Sequence, residues 1–186
     1  MSLVVAAGCG SPPVRNAHIP ADAQGSPTAG VVASAEAALS GAAAGTWRPA
    51  LRADLERCLQ ERGAIGPNGA SSPARSLMND VCTLSLVESA EPTERAEARV
   101  LVGPLAAATQ AHRTLVVCRE AEFDTLDDSV VVCLGHLRVR SARNSILFVL
   151  GRTEADEVHA VTLCGNGPLE ARVARDTQVV PLDEAP

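Results

Sequence analysis

After Pro73 the spacing of the apolar residues of this chain shifts toward a period of two, whereas between 51 and 59 they recur at steps of four, three and one. That change of period constrains the fold more than any other feature. Side chains alternate between the two faces of a strand, but return to one face of a helix roughly every 3.6 residues. The β-type runs at 81–87, 99–102, 114–119, 129–139, 145–150, 158–164 and 169–174, with a last one at 178–181, are separated by Gly, Pro, Asn or Asp. Short strands divided by turn signals predict antiparallel pairing. The expected fold is therefore α+β, with one N-terminal amphipathic helix and an antiparallel β-rich domain, either a small sheet or a sandwich. Residues 106–112 are read as holding a helical turn.

The folded domain is expected to begin near Thr46. Pro49 suits the first turn of a helix, Leu51, Leu55, Cys58 and Leu59 make its buried stripe, and Arg52, Asp54, Glu56, Arg57, Glu61 and Arg62 make its wet face. Gly63 stops it in the position after the C-cap. Residues 66–72 form a loop by their Gly, Pro, Asn and Ser content. From Ser11 to about Gly45 the chain is dominated by Ala, Gly, Pro and Ser, with few large apolar side chains, too little to offset the entropy of ordering. An alanine-rich helical stretch at 31–44 is limited by Gly41 and Gly45. The organisation read from these shifts is residues 1–9 as the end of a signal sequence, 10–45 as a disordered linker, and 46–186 as a single β-rich domain.

Two hairpins are expected. Pairing 114–119 with 130–139 about a loop at Thr125 and Leu126 sets Cys118 opposite Cys133, where a cross-strand disulfide fits a close, non-hydrogen-bonded pair. The second hairpin turns at Gly165-Asn166-Gly167-Pro168. Of the five cysteines beyond residue 9, Cys58 on the helix and Cys82 on the next strand make a second candidate bridge, and Cys164 is left unpaired. Five cysteines in so small a domain point to an oxidising compartment; the alternative is five buried reduced thiols.

Residues 3–8 are apolar and small, and they end at Ala6-Ala7-Gly8-Cys9 before a Gly/Ser/Pro-rich segment. This order resembles the lipobox of bacterial lipoproteins, and the resemblance implies lipidation of Cys9 and anchorage at the membrane surface. Position 6 is Ala where the family usually has Leu, and no basic region precedes the run, as expected if Met1 falls inside the apolar segment of a signal peptide. Residues 151–158, followed by 159–163 and 169–173, resemble the valine-rich C-terminal hairpin of extracytoplasmic domains of actinobacterial envelope proteins. All the basic residues are Arg and Ala is abundant, the signature of a GC-rich genome.

The absence of Lys excludes a P-loop lysine, a Schiff base and a lysine general base. A net charge of −6 without a basic block argues against nucleic acid, and Trp47, Phe123 and Phe148 are too scattered to stack bases. Cys133 and His136, with Cys118 and Cys164 in reach, form only half of a zinc set. Cys118 or Cys133 with His112 or His136 makes a nucleophile pair without any supporting motif, and His18 and His159 read as linker and strand residues. Glu120, Glu122, Asp124, Asp127 and Asp128 form an acidic loop, solvated or calcium-binding, that Arg138, Arg140 and Arg143 can neutralise. No residue is assigned to catalysis, a cofactor or a metal. The reading is a cell-envelope lipoprotein, anchored on the outer face of the cytoplasmic membrane or secreted, whose non-enzymatic domain binds a partner protein or envelope component. An envelope hydrolase with an unidentified Cys/His site and a cytosolic protein with reduced thiols are the alternatives.

Overall fold

The computed structural model describes residues 26–65, 73–82, 93–97 and 99–182. Among these residues, three helices, α1 (Pro27–Leu39), α2 (Ala44–Glu61) and α3 (Pro73–Cys82), precede ten strands. These are β1 (Thr93–Glu97), β2 (Val100–His112), β3 (Leu115–Asp127), β4 (Val130–Cys133), β5 (Leu137–Arg143), β6 (Ile146–Val149), β7 (Thr153–His159), β8 (Thr162–Gly165), β9 (Leu169–Arg175) and β10 (Gln178–Pro181). Every pairing is parallel, and the strands coil into a β-solenoid of about five turns. The expected antiparallel sheet or sandwich is not formed.

The corners explain why. An Asn-Gly hairpin turn needs two consecutive residues at positive φ. Neither Asn166 nor Gly167 has a positive φ; the left-handed residues of the coil are instead the single ones Arg113, Asp128, Asn144, Ala160 and Asp176, with φ between 45° and 53°, so the chain bends without reversing. Leu115, Val130, Ile146, Thr162 and Gln178 stand in register, and each turn takes 15 or 16 residues. The expected helical turn at 106–112 is part of β2, and the expected strand at 81–87 begins inside α3, its remainder lying outside the described residues.

A second column steadies the same corner. Ser129 Oγ accepts the Thr114 N–H at 3.0 Å and donates to the Asp127 carbonyl at 2.7 Å. One turn on, Ser145 Oγ accepts the Ser129 N–H at 3.2 Å and donates to the Arg143 carbonyl at 2.6 Å. Buried hydroxyls thus satisfy backbone groups that the corner takes out of the ladder. At the next corner Ala160 holds φ 53° with only a methyl group, and Val161 stands where the previous corners have Ser129 and Ser145. Ala160→Gly is expected to stabilise the protein by about 1 kcal/mol, by removing the left-handed penalty. A urea midpoint at or below that of the parent contradicts this account.

The solenoid builds two cores. Inside the coil lie Val116, Cys118, Phe123 and Leu126 and the residues stacked on them, among them Val131, Cys133, Val139 and Ala142, then Leu147, Val149 and Val158. The opposite side chains of the short strands, Leu115, Val117, Val130, Val132, Ile146, Phe148 and Cys164, pack outward against α1, α2 and α3. Strands β4 and β6 are therefore buried on both faces and read as unbroken apolar runs, whereas β5 alternates because its outer face is wet.

Helix α2 carries the expected stripe of Leu51, Leu55, Cys58 and Leu59, all buried, but it begins at Ala44, so Pro49 sits inside it rather than in its first turn. Gly63, at φ 70°, ends it as expected: its N–H reaches the Gln60 carbonyl and the Ala64 N–H reaches Leu59. Part of the segment read as linker is folded. Helix α1 buries Val31, Ala35 and Ala38, and Gly30 lets it approach α2, since a Cβ there would lie 2.6 Å from the Asp54 carboxyl carbon. Ala-rich helices gain stability from tertiary packing that composition does not register. Glu36 of α1 pairs with Arg119 of β3 at 2.6 Å, and Arg62 after α2 donates to the Pro181 carbonyl of β10 at 2.8 Å.

Candidate functional site

The acidic residues expected in a hairpin loop instead run along β3, where Glu120, Glu122 and Asp124 belong to the strand itself. Neighbouring turns place Arg138 beside Glu122 and Glu154 beside Arg138. The outer face of β3, β5, β7 and β9 is consequently a ladder of mixed charge. Arg140 meets Asp124 at 3.5 Å, Arg138 meets Glu154 at 3.2 Å, and Arg152 bridges Glu154 at 3.3 Å and Glu170. Glu154 is the hub, with His136 Nε2 a further 3.8 Å away. A shallow groove follows these residues, floored by the backbone around Phe123, Val139 and Ala155. The arginines were expected to neutralise the acidic segment: Arg140 does so at Asp124, while Arg138 turns to the next rung.

A second cluster sits at the left-handed corner. His112 Nδ1 lies 3.5 Å from Asp127 Oδ2 and 4.0 Å from Asp128 Oδ2, and the three candidate ligand atoms fall within 4.8 Å of one another. A nitrogen and two carboxylates suit a divalent ion such as zinc. The three side chains are 38–46% exposed, and Arg143 stands beside Asp127 in register, which opposes a cation there. Their geometry is that of screened surface ion pairs.

The cysteines lie apart from both clusters. Cys58, Cys82, Cys118, Cys133 and Cys164 are buried free thiols, and Cys9 is outside the described residues. Cys118 and Cys133 do face each other, as parallel neighbours one turn apart rather than across a hairpin. Their mutual hydrogen bond, then burial, pushes the Cys118 thiol far up, and the same bond holds Cys133 below the usual thiol range. Burial pushes Cys82 up to about 11 against the pull of Arg52 and Arg48. Burial, then Cys58, pushes Cys164 up to about 12. The half zinc set is not assembled: Cys133 Sγ points to the backbone carbonyl of His136 at 3.3 Å, while that imidazole turns outward to Glu154. Nor is the other expected partner directed at a core thiol: His112 pairs with Asp127 on the surface. His159 pairs with Asp176 at 3.3 Å.

No family model, curated protein or solved structure matches this chain. Function must therefore be argued from the faces of the solenoid. Beyond the expected pairing of arginine with the acidic segment, the charge ladder and the histidine corner were not read from the sequence, because both are assembled from neighbouring turns of the coil. The interval of one turn was legible in Gly135, Gly151 and Gly167, and in Asp128, Asn144 and Ala160.

Proposed function

We propose that this is a non-enzymatic envelope domain, tethered through lipidated Cys9, that presents the wet face of its solenoid to a partner protein. The observation that carries the reading is the division of the solenoid into two sides. One is committed to α1–α3, and the other is a flat ladder of Glu122, Asp124, Arg138, Arg140, Glu154 and Asp156. Alternating charge on a rigid sheet suits a protein surface of complementary pattern, because like-charge juxtaposition rejects wrong registers. A polyanion would meet an acid beside nearly every arginine. No described helix is long and apolar enough to cross a membrane, so a lipid at Cys9 is the anchor this reading invokes.

Fractionation of cells expressing the chain from its own locus tests the tether. The parent is expected with the membranes and Cys9→Ser in the soluble fraction; a parent that is soluble with an unmodified Cys9 overturns it. A photo-crosslinking residue at Asp156 is expected to give a protein adduct that the same residue at exposed Ala53 on α2 does not. Equal yields at both positions contradict the assigned face.

Export also predicts oxidation of the stacked pair. Alkylation after unfolding, without reductant, is expected to leave Cys118 and Cys133 of the exported protein unlabelled, and labelling of both rules out that bridge.

A further inference from the structure

The two ends of the coil are finished differently. At the first turn β1 lies on Ala108–His112, and interior Ala111 is 1% exposed. At the last turn β9 pairs only with β7 and β10 only with β8, so among the described residues their outer edges carry no strand. The interior columns open to solvent there. Leu163 is 1% exposed and Val179, stacked on it, 52%; Val158 is buried and Ala174, stacked on it, is exposed. Leu169 and Ala171 are half-buried in the same interior.

This turn is not fraying. Val180 and Leu182 remain buried against the helices, and Arg62 holds the Pro181 carbonyl. A rigid strand edge beside exposed core side chains is a template for another chain.

We propose that a second copy of this chain covers that end, tail to tail, with β9 antiparallel to β9 of the other copy about a two-fold axis at Ala171. Charge selects this occupant and register. Glu170 and Arg172 flank Ala171 on the outer face, so the two-fold sets Glu170 opposite Arg172 of the second copy, twice. Glu170 already accepts from Arg152, and a carboxylate has lone pairs for both. Head-to-tail stacking has no such match: Glu170 would continue the column that begins at Ala107, and β1 already occupies half of that edge. Pro181 gives β10 no N–H to share, which leaves β9 as the pairing strand. The result is a closed dimer, independent of the tether proposed above.

Sedimentation equilibrium on the full chain carrying Cys9→Ser tests it, with circular dichroism to confirm that each variant is folded. The parent is expected to be a dimer in the micromolar range. Arg172→Glu and Glu170→Arg, which set like charges opposite each other, are each expected to weaken the dimer about tenfold or more. An equimolar mixture of the two single variants is expected to restore it as a heterodimer, and the double variant to restore a homodimer. A parent monomeric up to about 100 µM overturns the proposal, as does growth beyond a dimer. A folded Arg172→Glu variant with undiminished affinity, or a mixture that fails to recover, overturns it as well.

Discussion

Phe148→Ala is expected to lower the unfolding free energy by about 3–5 kcal/mol and to loosen the helices from the solenoid. Phe148 is the largest of the side chains with essentially no exposure, and it points outward from β6 into the core shared with the helices. Its burial exists only because α1, α2 and α3 cover that side. Were the helices undocked, Phe148 would stand on an exposed strand face and its truncation would change stability by well under about 1 kcal/mol. Chemical denaturation measures the loss, and amide hydrogen exchange should rise in α1 and α2 before it rises in β4 or β6. A small loss with unchanged exchange would mean that the covering of this face has been misassigned.

Gly151→Ala is expected to cost about 3 kcal/mol, at the upper end of overpacking, and Gly151→Val to abolish folding. A Cβ at Gly151 would sit 2.5 Å from the Gly135 carbonyl oxygen and 2.8 Å from its carbon. Both contacts are backbone, and the Gly135 carbonyl is held there by the Gly151 N–H at 3.1 Å, so it can move away only by giving up that hydrogen bond. Gly103 is the control. Its nearest contact is the Leu105 carbonyl at 3.7 Å, so Gly103→Ala is expected to stay within about 0.5 kcal/mol of the parent in the same denaturation series.

The strands of the later turns were legible from alternation and apolar runs, and the last, Gln178–Pro181, coincides with its expected bounds, whereas 81–82 is helix and 106–112 and 120–127 are strand against expectation. The stripe of α2 and its stop at Gly63 were legible as well, because both are local. Strand direction was not. Gly165-Asn166-Gly167-Pro168 carries the residues of a hairpin turn, yet here it makes a corner between β8 and β9. Local turn chemistry permits both; what separates them is the recurrence of the same corner every 15 or 16 residues. Cys118 and Cys133 illustrate the ambiguity: an antiparallel register about Thr125 and Leu126 and a parallel register one turn apart bring the same two thiols together.

By itself, the sequence determined the apolar runs that became β4, β6, β9 and β10 and the apolar face of α2, because those follow from local periodicity and side-chain sterics. It also excluded a P-loop lysine, a Schiff base and a lysine general base, because the chain has no Lys. Only the tertiary structure decided that the strands stack in parallel, that an alanine-rich segment is held as a helix, and that acids and arginines far apart in the chain form one ladder. Those outcomes rest on the coiling of successive turns, which closes the interior columns and creates an outer face for the helices to cover. No short window of residues contains that information, since the stacking contacts between strands join positions a full turn apart.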